Sequence, residues 1–389
     1  MSVWQNIWAV IHRELHIIRN HPIYLNGSVG VMLVCTVFYL TFFKAGLPQD
    51  LPIGVIDADN SSTSREFVRQ LDATQAGKTI MFQSYDEARL EMMRGNITGI
   101  CVIPEHFNDD IQAFKQPTFT FYVNSLYYVS GSLTYKNILT MINLTNGAVQ
   151  RQMLRAKGYN DAAIMGMIQP VTLDMHQIGN VYTNYGYYLS NIMLPGCLQM
   201  CVIIILIYSL GMELKYETSR YALTTAGKSM ITLLAGKTFV YTVLFTVIGI
   251  LMILSMYWLG HFPIAGSIWN MMLAVLLLVV ASESVAIFII GCLPVPRLAL
   301  SIGALYSVLG FSFSGFTLPV EAMPSWIQGL SRCFPLRHYY LFYVQETIFG
   351  SGFPGWYRSV IALLLFVLVP CFVIVRLKKA FIHQNFPKE

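Results

Sequence analysis

Charge is scarce in this chain. Lys, Arg, Asp and Glu make up 12% of its 389 residues, about half the share of a soluble protein. Inside six apolar stretches (24–43, 189–212, 238–259, 268–293, 298–318 and 359–377) the only formal charges are Glu283 and, at the very end of the last stretch, Arg376. Patterns that carry chemistry are missing as well. The seven cysteines form no CxxC pair and no Cys/His spacing suited to a metal or redox centre. Neither HExxH nor GxSxG occurs, so hydrolase chemistry has no support. Three GK[ST] fragments start at Gly77, Gly227 and Gly236. A phosphate-cradling loop needs a glycine at its first position, where Asp72, Ala222 and Ile231 stand instead. The net charge of +5 is modest, and no basic run points to nucleic acid.

What the chain does have is long apolar runs. About 20 apolar residues carry a helix across a bilayer core, so the six stretches read as spans in a 1+5 arrangement. Lys and Arg in short loops mark the cytoplasmic side. With the N-terminus inside, the cytoplasmic pieces hold Arg13 and Arg19, then Lys215, Arg220, Lys228 and Lys237, then Arg297, and finally Arg376, Lys378, Lys379 and Lys388. The short outer link 260–267 holds none. Both termini are therefore expected in the cytoplasm.

Ahead of the first span, Trp4, Ile7, Trp8, Ile11, Leu15 and Ile18 recur at helical spacing, while Arg13, His16 and Arg19 face elsewhere. This predicts an amphipathic surface helix over 1–22. It either anchors at the bilayer or also docks a cytoplasmic partner. Between the first and second spans (23–43 and the block from 189) lies a polar segment, 44–188. Strand-like pieces at 52–56, 79–83, 97–103 and 119–123 alternate with helical pieces at 63–71, 86–93, 105–114 and 126–157. Such alternation predicts an α/β domain with a mainly parallel sheet. Thr63-x-x-Glu66 suggests a capping box. Asp57, Asp59 and Asn60 read as a polar turn more readily than a cation site. The scattered Met92, Met93, Met141, Met153, Met165 and Met167 read as packing residues more readily than copper ligands.

This order resembles the ABC-2 type permeases, the membrane subunits of a class of ABC exporters. The segment 180–196, an Asn with aromatics leading to Pro195-Gly196, resembles the family's approach to its second span. The loop 213–237 resembles its coupling loop through Glu213, Thr218-Ser219-Arg220 and Gly236-Lys237, but carries Glu217 where the family often has Gly. The strongest match is Ser314-Gly-Phe316-Thr-Leu-Pro319-Val-Glu321-Ala-Met323-Pro324-x-Trp326, followed by Pro335-Leu-Arg-His-Tyr339.

The resemblance implies an α-helical membrane protein of six transmembrane helices, with an N-terminal elbow helix and a periplasmic α/β domain between helices 1 and 2. It also implies re-entrant helices over 318–345, within a membrane block 189–377, and a cytoplasmic tail, 378–389. It implies a permease subunit that is not an enzyme and exports a lipophilic or drug-like substrate. This chain would bind no cofactor, ATP and Mg being held by a separate ABC ATPase. A second permease, identical or related, would complete the path in a bacterial inner membrane, and a periplasmic adaptor would meet the outer domain. Arg13, Glu14, Glu213, Glu217, Thr218, Arg220 and Lys237 would couple to the ATPase. Phe316, Pro319, Glu321, Met323, Pro324, Trp326 and Pro335 would form an exit gate, although the aromatics of this region also fit an interfacial belt. Glu283 is expected on the translocation path, because a carboxylate at bilayer depth costs several kcal/mol unless paired, hydrated or protonated. The competing reading of Glu283 is a structural hydrogen bond to Asn191, Gln199 or a serine. At the level of the whole chain, the competitor is a mechanotransmission protein that couples to an ATPase without passing a substrate.

Overall fold

The computed structural model of the chain describes residues 2–44, 46–74, 77–113, 115–181 and 183–383. Phe114, Tyr182 and the tail from 384, with Lys388, were assigned above to a helix end, a motif and a cytoplasmic segment; they lie outside the described residues. The chain divides into two compact units, one of Met1–Gly46 with Gln177–Glu389, the other Leu47–His176.

The second unit is built on four strands, β1 (Leu51–Asp57), β2 (Gly77–Met81), β3 (Gly99–Ile103) and β4 (Thr120–Val123), in the order β2-β1-β3-β4. β1 pairs parallel with β2 and β3, and β4 returns antiparallel to β3. The mainly parallel sheet expected from the alternation is thus present, with one antiparallel edge. β2 begins two residues earlier than expected. Ile53, Val55, Cys101 and Ile103 pack with Phe67, Leu71, Phe107, Ile138 and Met141 from the helices. Met141 is therefore a core residue, whereas Met93, Met165 and Met167 are exposed. The helix cap differs from the expected box. Ser61, not Thr63, accepts from the Ser64 amide at 3.0 Å, and Thr63 donates to Asn108. Asp57 is consumed by its own turn, accepting from the amides of Asp59 and Asn60 and from Ser64 Oγ. Gly158, with φ +85°, ends the long helix Tyr128–Ala156. The helix that follows, Asp161–Ile168, escaped the sequence pattern.

The first unit contains, among the described residues, six helices long and apolar enough to cross a membrane: Pro22–Phe42, Tyr185–Lys215, Met230–Leu259, Ile268–Cys292, Pro296–Phe313 and Phe353–Phe372. They are called the first to sixth spans below. The second and fourth form the centre, with 72% and 78% of their apolar windows buried, against 17% for the first and sixth. Close approach depends on small residues. A Cβ on Gly196 would lie 2.1 Å from the Phe311 ring, so the Pro195-Gly196 step seats the fifth span against the second. Gly27 meets Ile205 and the Ser28 hydroxyl bonds to Tyr24 O, so both serve packing within this chain.

Several span limits differ from the sequence reading, the sixth span among them, at Phe353–Phe372 rather than 359–377. The second helix runs on to Lys215, and the third starts at Met230, capped by Ser229. Glu213 and Lys237 therefore lie inside helices rather than in a loop. The fifth stops at Phe313, before Gly315 at φ +88°. Past it come a short turn, Val320–Ala322, and two helices, Ser325–Ser331 and Pro335–Tyr343. The chain's last described helix, Ile374–His383, buries Leu377 and Phe381.

Candidate functional site

Seven residues were expected to face an ATPase. Four of them, Arg13, Glu14, Glu213 and Lys237, meet in one buried ion cluster. The N-terminal helix, Val3–Asn20, starts with a Ser2/Gln5 capping box and buries Val10, Ile11, Glu14 and Ile18. Trp4 and Trp8 stay exposed. The buried face is thus rotated toward Val10 and Glu14 relative to the expected stripe, and it brings Arg13 inward. Arg13 Nη1 and Nη2 donate to Glu213 Oε1 and Oε2, both at 2.7 Å. Lys237 Nζ donates to Glu14 Oε1 at 2.6 Å and to Glu213 Oε1 at 3.2 Å. Thr218 Oγ1 donates to Glu213 Oε2 at 2.6 Å.

The cluster holds two cations and two anions, which offsets the cost of taking each out of water. Burial alone would disfavour the Arg13 cation, but the Glu213 carboxylate outweighs it and raises its pKa. Glu213 sits at the C-terminal end of the second span, where the helix dipole opposes an anion; the two cations compensate. Glu14, Glu213 and Lys237 are all buried, so their charged ends face the protein interior rather than a partner. The sequence missed this because Lys237 read as a loop boundary.

The remaining two of the seven lie around the short helix Ser219–Thr225. Glu217 adopts φ +58°, the left-handed backbone that favours Gly. This gives a physical reason for the Gly that the resembling loops often carry there, and none for the Glu of this chain. Arg220 Nε donates to Ile382 O at 2.8 Å, and Ser219 Oγ to Phe381 O at 2.9 Å. The loop thereby holds the C-terminal helix. Tyr216 and Tyr221 stand exposed beside it.

Glu283 is buried in the fourth span, and its Oε2 accepts from Thr242 of the third at 2.7 Å. The expected partners are engaged elsewhere or not at all. Asn191 bonds with Tyr187 and Tyr257, Ser282 and Ser284 bond back to their own helix, and Gln199 has no hydrogen-bond partner among the described residues. Glu283 Oε1 and Thr246 Oγ1, one turn beyond Thr242, also lack partners there.

Around the two short helices, Phe316 stacks on Tyr188 with centroids 4.1 Å apart, and Tyr188 Oη donates to Phe316 O. Phe334, Tyr339 and Phe342 are buried and Trp326 is exposed, so most aromatics here pack inward, and a belt describes only Trp326. Pro335 opens its helix at the first turn, whereas Pro319 and Pro324 stand before theirs. Glu321 is exposed; Met323 O accepts from Gln328.

A second buried carboxylate escaped the sequence reading. Glu346 Oε1 accepts from the Ser267 amide at 2.7 Å and Asn270 Nδ2 at 2.8 Å, and Oε2 from Trp356 Nε1 at 2.8 Å. It ties the start of the fourth span to that of the sixth. Gly266 leaves room for it, since a Cβ there would fall 2.4 Å from Oε1. The entrance to the second span has a similar logic: Asn184 Oδ1 caps it by accepting from the Gly186 and Tyr187 amides, and Asn180 brackets Asn184.

Six helices long and apolar enough to cross a bilayer, packed around buried polar groups, suggest a multi-pass membrane protein. The family model described as ABC-2 family transporter protein matches residues 24–376, and the chain belongs to that family. It is accordingly a transmembrane subunit of an ABC transporter and not itself catalytic, and the family implies an ABC ATPase partner and a membrane dimer. No curated protein matches the chain.

Proposed function

We propose that the chain is the permease half of an ATP-driven exporter in a bacterial inner membrane, with both termini cytoplasmic. It moves a lipophilic or drug-like compound outward from the cytoplasm or the inner leaflet. ATP and Mg are handled by the separate ATPase subunit. The observation that carries this reading is the four-charge cluster. It fastens the N-terminal helix to the adjoining ends of the second and third spans, beside the exposed surface of Tyr216, Tyr221 and the 219–225 helix. A push on that surface would reach both spans through Arg13, Glu213 and Lys237. In this role those residues transmit force, while Arg220 and Glu217 border the contact.

A second permease, identical or related, completes the path, with the first and fifth spans at the interface. Their outward faces, with Leu33, Val34, Leu305 and Val308 exposed, support this arrangement. The outer α/β unit meets an adaptor protein. Glu283 lies on the translocation path, and Phe316 with the two short helices forms a gate at its outer end.

Vesicles carrying the permease with its ATPase test the reading. ATP-dependent accumulation of a lipophilic dye inside inverted vesicles is the expected result. ATP turnover that responds to the permease, with no movement across a panel of dyes, drugs and lipids, would favour a transmission role instead.

A further inference from the structure

The loop joining the two short helices lies alongside the spans. Tyr306 Oη donates to Cys333 O at 2.5 Å, and the Phe334 ring stacks on Tyr306 at 4.7 Å. Tyr306 is about two turns, roughly 10 Å, short of the fifth span's end at Phe313. The His338 ring lies 6.0 Å from Phe366, well inside the sixth span. Beside this loop is a cavity of about 670 Å³, within the usual range of small-molecule sites. Val285, Ile289, Ile302, Leu365 and Val369 give it an apolar wall, and Arg332 with His338 lines its polar end.

Arg332 is exposed, and among the described residues its guanidinium forms no ion pair and donates no hydrogen bond. The charges that reach it include Arg337, of the same sign. His338 Nε2 donates to the Arg332 carbonyl at 2.9 Å, so that proton is already used. An unpaired guanidinium beside the hydrocarbon region is costly, and such groups are found with anionic partners or water. Its planar fork fits a phosphate through two parallel hydrogen bonds. The adjoining apolar trough fits an acyl chain.

We propose that this groove holds an anionic membrane phospholipid. Its phosphate sits on Arg332, and one acyl chain lies along Ile302, Ile289 and Val369. Neither Glu283 nor any member of the ion cluster lines the groove, and the proposal does not depend on which substrate is exported.

The test is native mass spectrometry of the detergent-purified full chain, titrated with phosphatidylglycerol, phosphatidylcholine and, separately, inorganic phosphate. The expected result is phosphatidylglycerol held about ten-fold more tightly than phosphatidylcholine. Arg332→Gln should erase that preference and Arg332→Lys keep part of it, which guards against a folding artefact. Ile302→Trp should fill the trough and remove both lipids. Equal retention of the two lipids by the unaltered chain would overturn the proposal. So would phosphate alone binding as tightly as phosphatidylglycerol. A lipid-free dimer that Ile302→Trp dissociates would assign the groove to a second copy and also overturn it.

Discussion

Arg13 and Glu213 stand 200 positions apart in the chain and meet in two parallel hydrogen bonds, each of 2.7 Å. The bidentate geometry matters because Glu213 also accepts from Lys237 and Thr218. Each of its oxygens is engaged twice, and the N-terminal helix is fixed in rotation as well as position. Lysine cannot supply that fork. Arg13→Lys should therefore leave the charge balance intact but weaken the N-terminal helix's attachment, by about 1–2 kcal/mol. Faster proteolysis within residues 3–20, with the spans intact, is the expected readout. An unchanged cleavage rate would show that charge alone holds the helix.

Lys237 and Glu14 allow a sharper test of the cluster. Removing one member of a buried pair leaves an uncompensated charge, at a cost of about 3–5 kcal/mol. Lys237→Met should therefore destabilise the chain strongly, and Glu14→Gln less so, because Glu14 Oε2 already lacks a partner among the described residues. The double variant should recover much of the loss. Thermal unfolding in detergent across the four proteins measures the coupling. Strictly additive losses would mean that the pair contributes nothing as a pair.

Glu217 holds a left-handed backbone at φ +58°. A non-glycine residue there costs about 1–2 kcal/mol. Glu217→Gly should raise the unfolding temperature if strain outweighs the contact Glu217 makes. It should also leave membrane insertion unaltered. A lowered unfolding temperature would assign more weight to the side chain than to the backbone.

The two cysteines outside the spans differ in environment. Burial in the sheet core pushes the Cys101 thiol up from 9.0 to about 12, while Cys333 is exposed. A thiol whose folded pKa is raised stabilises the fold below its unfolded pKa. That contribution declines as the pH climbs from about 9 toward 12. A maleimide at pH 7.5 should label Cys333 in lipid-stripped detergent and Cys101 only after denaturation. Rapid labelling of native Cys101 would contradict the sheet packing described here.

Much of the fold was legible because two periodicities dominate it. Unbroken apolar runs gave the number of spans, and alternating strand and helix pieces gave the four-stranded sheet. What escaped depended on partners distant in sequence. Lys237 read as the end of a span because an isolated lysine is too polar to bury; it is buried because Glu14 and Glu213 arrive from 223 and 24 residues away. Glu346 drew no notice because Ser267, Asn270 and Trp356 are ordinary residues until the helices converge on it. Glu283 was found from its solitude in an apolar run. Its partner was not, since any hydroxyl on a neighbouring helix would have served.

Glu283 remains the residue whose substitution separates transport from packing. Its two oxygens differ: Oε2 accepts from Thr242 at 2.7 Å, whereas Oε1 is buried with no partner among the described residues. A purely structural carboxyl would be expected to satisfy both, since an unmet buried acceptor costs about 1–3 kcal/mol. Leaving one oxygen unmet is consistent with a group that exchanges a proton or meets a substrate during turnover. Glu283→Gln keeps the shape and the Thr242 contact while removing the ionisable group. It should reduce ATP-driven transport at least about ten-fold with normal expression, assembly and unfolding temperature, a difference of about 1.4 kcal/mol in the barrier. Thr242→Val, which removes the donor alone, should change transport less than it changes stability. If Glu283→Gln instead transports like the unaltered chain while Glu283→Leu lowers the unfolding temperature, the carboxyl is a packing element between the third and fourth spans, and the path must run elsewhere.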